Sequence, residues 1–465
     1  MNNKLGKGII AVFLANIINL IFNLISNFAL PKYLSVESYA AIKSFTLYLS
    51  YAGFLHFGYE DGMYLKYGGQ EKKDISYNEL SLNMSTLRIF QAVISILIFV
   101  VAFGLHDDIL FFFGLALLPY NMMYYFRNLF QAIGEFKLYG KVLNLTTVML
   151  FILNMTLLFI VKTQDYIYYL MANVLVYVLT WIFIELYIRK TSNFRFSLFD
   201  FSIYEFISNI KTGFLLMLGT FASILLTSMD RWFVKAFLDN IAFAQYSFAV
   251  SIENFLNVAI TPITVTLYNY FCKTKDVDEI NKLKRYIIIF SVIVVACAFP
   301  AKFILEVWLT NYLNSVIVVF LLFASRIFFT INTSIYVNLY KAHKMQRKYF
   351  FKLVFVIIFG LVSNAIIFAV FRVKEAFAIA TLLSAILWQT LSLMDFKEFR
   401  FYINEIVFLI VETTVFIVTG IFCSSLAGFA IYALVTIATC FILMRKDVLG
   451  IASLMHNYYR MKLKK

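Results

Sequence analysis

About fourteen times along this chain of 465 residues, an apolar run reaches roughly the 20 residues that a helix needs to cross the hydrocarbon core of a bilayer. The runs fall near residues 8–30, 39–59, 83–105, 109–133, 142–162, 166–188, 211–232, 241–271, 285–305, 314–338, 351–370, 375–394, 404–424 and 426–443. Backbone polar groups in lipid must be satisfied internally, and continuous runs of this length do so as helices. The expected fold is therefore an all-α polytopic membrane protein. Lys4 and Lys7 ahead of the first run imitate a secretory signal, but the run continues to Leu30 without a small-residue cleavage site and reads as the first span. With 62% apolar and only 14% charged residues, the chain lies far from a soluble domain, a disordered segment or a disulfide scaffold.

Charge placement fixes an orientation. With both termini cytoplasmic, 30 of the 40 Lys and Arg fall on inside segments, the bias the positive-inside rule expects. The net charge of +14 then reports topology and attraction to anionic headgroups, with no nucleic acid implied. The longest inside loops are near 60–82 and 189–210. In the second, Phe199, Ile203, Phe206, Ile207 and Ile210 recur at helical spacing, which predicts an amphipathic interfacial helix joining two halves. The chain thus divides into an N-lobe of helices 1–6 (1–197), the interfacial helix with a C-lobe of helices 7–12 (198–400), and helices 13–14 with a basic cytoplasmic tail (401–465). A short echo supports the halves: Tyr33-Leu34-Ser35-Val36 follows the first span, and Phe237-Leu238-Asp239-Asn240-Ile241 follows the seventh.

Polar residues that break the apolar pattern carry the functional information. Asn16, Asn19, Asn23 and Asn27 fall on one face of the first helix. They form either interhelical hydrogen bonds or one wall of a watery cavity, and a stripe running the helix's length favours the wall. On the second helix Lys43, Thr46, Ser50 and Asp61 share a face, with Lys43 and Asp61 about 27 Å apart by helical rise. Thr220, Ser223, Thr227 and Arg231 align on the seventh, and Ser247, Ser251, Asn254 and Thr261 on the eighth. Helices 1, 2, 7 and 8 are accordingly placed around a central space.

Charges inside spans are functional candidates by default. Arg326 and Glu253 both map near mid-membrane, where they either serve a ligand or neutralise one another. Arg88 lies nearer the inner face, and Arg127 reads as an interfacial anchor. Glu185, Glu306 and Glu412 read as end-of-helix or locally paired carboxylates, and Asp230 with Arg231 as an ion pair capping the seventh helix. No HExxH pair, phosphate-binding GxxxxGK[ST] loop, zinc knuckle or sizeable outer loop is present in the sequence, so neither cofactor nor catalysis is expected.

Two stretches resemble polysaccharide flippases. They are Ser228-Met-Asp-Arg-Trp-Phe-Val-Lys-Ala-Phe-Leu, continuing through Ala244-Gln-Tyr-Ser-Phe-Ala to Pro262, and Asn27-Phe-Ala-Leu-Pro-Lys-Tyr-Leu-Ser-Val-Glu-Ser-Tyr-Ala, followed by Gly58-Tyr-Glu-Asp-Gly. These flippases are the O-antigen and capsule repeat-unit transporters of the multidrug/oligosaccharidyl-lipid/polysaccharide exporter superfamily, and the fourteen-helix layout extends the likeness over nearly the whole chain. The resemblance implies two six-helix lobes around a central cavity plus a C-terminal helix pair. It implies a cargo of undecaprenyl-diphosphate-linked oligosaccharide moved to the outer leaflet of the bacterial cytoplasmic membrane, with the polysaccharide polymerase and chain-length machinery as partners. Lys43, Arg88, Arg231 and Arg326 are the candidate cations for the diphosphate. Asn16, Asn19, Asn23, Asn27, Ser50 and Asn254 are candidates for the sugars, and Asp61 and Glu253 for coupling to an ion gradient. A multidrug or cation antiporter of the same superfamily, a peptidoglycan-precursor flippase and, less favoured, a membrane glycan-assembly enzyme are the rival readings.

Overall fold

The computed structural model of the chain describes residues 3–68, 70, 75–192, 199–273, 276–450 and 453; the basic tail beyond them, and the side chains of Asn16 and Cys272, lie outside the described part. Among the described residues every regular element is helical. The chain divides into two compact units, 1–224 and 225–465.

The first unit holds α1 (Asn3–Tyr33), α2 (Val36–Ala52), α3 (Tyr59–Tyr67), α4 (Tyr77–Leu105), α5 (Asp108–Ala132), α6 (Phe136–Thr156), α7 (Tyr166–Ser192) and most of α8 (Ile203–Phe237), which runs on past the boundary. The second continues with α9 (Asn240–Glu253), α10 (Asn257–Lys273), α11 (Val277–Val295), α12 (Ala298–Val307), α13 (Val316–Ile331), α14 (Val337–Ala342), α15 (Gln346–Phe371), α16 (Glu375–Asp395), α17 (Ile403–Phe422) and α18 (Ser425–Leu443). Eleven helical stretches of the described chain are long and apolar enough to cross a membrane. The other three expected spans fall on α1, on α2, and on α9 with α10. α2 is only 17 residues long because the chain breaks at Gly53, and α9 gives way to a 3₁₀ turn, Asn254–Leu256, before α10 resumes.

Helix starts follow local chemistry. Ser35, Asp107 and Asp239 each accept a backbone N–H two or three residues into the next helix, at 3.1, 2.9 and 2.7 Å. The echo at Ser35 and Asp239 is thus one device used twice, an N-cap where the chain turns from a long helix into its neighbour.

Each unit is organised around its fourth span. In the first, α5 packs against α2, α3, α4, α6 and α7; in the second, α13 packs against α9, α11, α12, α16 and α17. The final pair belongs to the second unit. Phe299 and Phe320 meet Phe416 and Tyr432 at ring-centroid distances of 4.9–5.7 Å, and the buried Lys284 and Glu405 pair at 2.9 Å.

Two expectations change. Residues 203–210 are not a separate interfacial helix: they are the opening turns of α8, a single 35-residue helix. Phe206 faces inward, 4.8 Å from Phe90 and 6.1 Å from Tyr59, whereas Phe199 lies before the helix and is exposed. Nor does one helix carry both Lys43 and Asp61. The chain between them breaks at residues 53–58, with Phe57 at φ 51° and Gly58 at φ 88°. The carbonyls freed there need partners. Asn121 donates to the Ala52 carbonyl at 3.2 Å and Gln91 to that of Leu55 at 3.1 Å, while Asn121 and Gln91 bond each other at 2.8 Å.

The break also explains the glycines of Gly58-Tyr-Glu-Asp-Gly. A methyl at Gly62 would run into the Asn209 carbonyl, and one at Gly213 into the backbone of Gly58 and Gly62, so α3 and α8 touch backbone to backbone. Asn83 ties the seam, accepting from Asn209 at 2.8 Å and Tyr59 at 3.0 Å and donating to Tyr67 at 3.1 Å. Lys66 bridges Glu79 and Glu205, 2.8 Å from the latter. Burial works against its charge, but the two carboxylates outweigh burial and hold the ammonium above its ordinary pKa.

Candidate functional site

In the second unit the polar residues close on themselves. Arg326, from α13, is in ion contact with Glu253 at the end of α9, with Nη2 2.9 Å from Oε2. The remaining guanidinium edge reaches Asn257 Oδ1 at 3.3 Å and Asn254 Oδ1 at 3.4 Å. Of the two roles the sequence left open for Arg326 and Glu253, mutual neutralisation is what the fold builds.

Asp230 does not cap a helix end, since α8 continues to Phe237. It is buried, accepting from the Tyr246 hydroxyl at 2.5 Å, the Thr381 hydroxyl at 3.3 Å and the Arg231 backbone at 2.8 Å. Arg231 itself is half-buried. Between these groups only about 10 Å³ remains free, the room of roughly one water.

In the first unit the asparagine stripe serves several partners. Asn19 donates to Asn144 on α6 at 3.0 Å and accepts from Thr147. Asn27 accepts from Lys43 at 2.8 Å, and Lys43 also lies 5.1 Å from the Tyr39 ring. Asn23 is exposed, its carbonyl accepting from Asn27. Arg88 meets Glu185 at 2.5 Å beneath the Trp181 ring. The Ser50 hydroxyl donates back to the Leu47 carbonyl at 2.6 Å. As expected, Glu185, Glu306 and Glu412 are locally held: Glu306 by the Ser425 N–H at 3.2 Å, and Glu412 by Thr436 and Thr439 at 2.7 and 2.5 Å. Asp61, in the first turn of α3 and past the end of the second span, lies 4.0 Å from His56 and keeps 22% of its side chain exposed. Burial, only partly offset by a backbone hydrogen bond, pushes its carboxyl up to about 6.

Sequence reasoning assigned Arg127 to the interface and missed its surroundings. It lines a cavity of about 300 Å³ inside the first unit, between α2, α5, α6 and α7. Its guanidinium stacks 3.7 Å from the Tyr124 ring centroid, and among the described residues it makes no ion pair and its Nε has no partner. Tyr120 stands 4.4 Å from Tyr124 and 5.2 Å from Tyr177, forming an aromatic wall. Ser50, Thr46, Thr146 and Thr147 supply hydroxyls opposite. The available signal was periodic: Tyr120, Tyr124 and Arg127 sit at i, i+4 and i+7, on one face of α5. No group of three His, Cys, Asp or Glu among the described residues has the arrangement of a metal site.

No protein-family model matches the chain, and no curated protein matches it in sequence. Solved structures do share its fold. Lipid II flippase MurJ in an inward closed conformation aligns at a TM-score of 0.64 and 13% identity, covering 95% of this chain and 99% of that one. An inward-facing multidrug resistance MATE family transporter of the MOP superfamily aligns at 0.58 and 13% identity, covering 82% of this chain and 94% of its own. A eukaryotic MATE transporter aligns at 0.54 and 14%, covering 84% and 94%.

Proposed function

We propose that this protein is a flippase of the MOP superfamily that carries undecaprenyl-diphosphate-linked oligosaccharide from the inner to the outer leaflet of the bacterial cytoplasmic membrane, for surface polysaccharide assembly. One observation supports this most: likeness to a lipid flippase runs nearly end to end on both chains, whereas likeness to the MATE transporter uses almost all of that chain and leaves nearly a fifth of this one unmatched. The fold of that transporter has no counterpart for the remainder.

Transport by alternating access suits a chain built as two compact units. Lys43, Arg231 and the asparagine stripe are the groups we assign to the passing cargo. Arg88 and Arg326 already have carboxylates, so they serve a diphosphate only if those pairs open. Of the two coupling candidates, Asp61 is the stronger, because Glu253 is committed to Arg326 while Asp61 stays partly exposed, with burial pushing its carboxyl up to about 6. The polymerase and chain-length machinery remain the partners we assign.

The test is made on cells lacking the protein, by extracting undecaprenyl-linked oligosaccharide and asking which leaflet holds it. Accumulation on the cytoplasmic side with loss of surface polysaccharide is expected. Unchanged lipid-linked pools with altered tolerance to cationic drugs would sink the reading in favour of an antiporter.

A further inference from the structure

The cavity beside Arg127 lies wholly within the first unit, and nothing above gives it an occupant. At about 300 Å³ it reaches the lower range of small-ligand sites. Its walls differ in hydrogen-bonding capacity. The hydroxyls of Thr46, Ser50 and Thr146 each turn their proton to a backbone carbonyl of their own helix, at 2.9, 2.6 and 2.9 Å, and that of Thr147 turns to Asn19. What they offer inward is acceptor oxygens, suited to a ligand rich in O–H groups. Facing them are Tyr120, Tyr124 and Tyr177, flat surfaces against which the C–H face of a ring packs.

Arg127 then sets the charge. One face of its guanidinium is covered by Tyr124, with the Tyr139 ring 5.9 Å away, and the planar N–H groups at its edge match the oxygens of a carboxylate or phosphate. Glu60 acts on it electrostatically but stays beyond ion-pair distance and accepts from Asn128 instead. An arginine held among aromatic rings without a counter-ion is an incomplete ion pair.

We infer that this cavity binds one monosaccharide-sized, hydroxyl-rich ring bearing an oxyanion, with the anion on Arg127 and the ring between the tyrosines and the hydroxyl wall. The shared chemistry is a sugar ring with a carboxylate or a phosphate. That this ring belongs to the transported oligosaccharide rests on the flippase reading; that the cavity binds it does not.

The experiment uses the full-length protein in lipid nanodiscs and saturation-transfer NMR titrations with methyl glucuronide, glucose 1-phosphate and methyl glucoside. The two anionic sugars are expected to bind about tenfold or more tightly than the neutral one. Whichever anionic sugar binds more tightly identifies the oxyanion. Arg127→Gln should erase the preference and Arg127→Lys should keep part of it. Equal binding of all three sugars by the wild type, binding of none, or a preference unchanged in Arg127→Gln would each overturn the inference. If Arg127→Gln does not fold, the wild-type ranking and Arg127→Lys still decide. Because no transport step is read, the site stands or falls separately from the result on cells lacking the protein.

Discussion

Each unit hangs on its fourth span, and each of those spans carries a half-buried arginine, yet the two arginines live differently. Arg326, on α13, is answered by Glu253 from the second span of its half and by two asparagines, around a space of about 10 Å³. Arg127, on α5, lines a cavity of about 300 Å³ together with Thr46 and Ser50 of the second span of its half. α2 has no carboxylate at that depth: Glu37 stands in its first turn, and Glu60 and Asp61 come after the break, on α3. A buried charge demands a partner. One half supplies it from the chain and packs tight, while the other leaves it to be supplied and stays open.

The largest effect that would test this contrast is in the second unit. Arg326→Ala strands Glu253, and Glu253→Ala strands Arg326. Each is expected to cost ~3–5 kcal/mol, read as a fall in the thermal midpoint in detergent. The combined Glu253→Gln, Arg326→Met variant should recover most of that loss, because no uncompensated charge remains. Single and combined variants with equal stability would mean that the pair is not what closes the unit.

Next in size is the frame of the first unit. Gly213→Ala pushes a methyl into the backbone of α3, where neither side can yield by rotating a side chain. A loss of ~1–3 kcal/mol is expected, along with weaker sugar binding, since α5 packs against α3 as well as lining the cavity. Gly219→Ala on the same helix meets open space and serves as the control.

How much of this was legible beforehand follows from which physics acts at short range in sequence. Span lengths are set by bilayer thickness, and eleven of the apolar runs were read as helices long enough to cross a membrane because apolar runs need no tertiary context. The caps at Ser35 and Asp239 lay in the echo, since an N-cap is local chemistry. The helix break after Ala52 was not seen. Gly53 and Gly58 hinted at it, but the carbonyls it frees are satisfied by Asn121 and Gln91 from distant helices. The amphipathic pattern at 199–210 was real yet misassigned, because an apolar stripe looks the same whether it meets lipid headgroups or, as at Phe206, another helix. The candidate cations were chosen by depth alone. Depth does not reveal that Glu185 awaits Arg88 or that nothing of the kind awaits Arg127.

A smaller effect concerns pH. The Asp61 carboxyl titrates near 6 in the fold against about 3.9 in an unfolded chain. Its folded-state value is raised, so the fold disfavours the charged form: this contribution is most favourable below about pH 4 and is lost as pH rises through 6. Asp61→Asn should flatten that dependence between pH 4 and 7, with thermal midpoints as the readout. An unchanged slope would remove Asp61 as the titrating group and weaken its assignment to coupling.

The smallest stability effect is also the sharpest test of the contrast between the two arginines. Arg127→Gln gives up stacking on Tyr124, worth ~1–2 kcal/mol when desolvated. It also relieves the cost of holding a charge with no ion pair, which works in the opposite direction. Its thermal midpoint in ligand-free nanodiscs should therefore lie within ~1 kcal/mol of wild type, far from the loss expected of Arg326→Ala. With the tighter-binding anionic sugar added, the wild-type midpoint should rise by mass action and that of Arg127→Gln should not. If Arg127→Gln instead loses ~3–5 kcal/mol without ligand, Arg127 has a partner in the chain just as Arg326 does. The open half would then be held by the same kind of completed pair as the closed one.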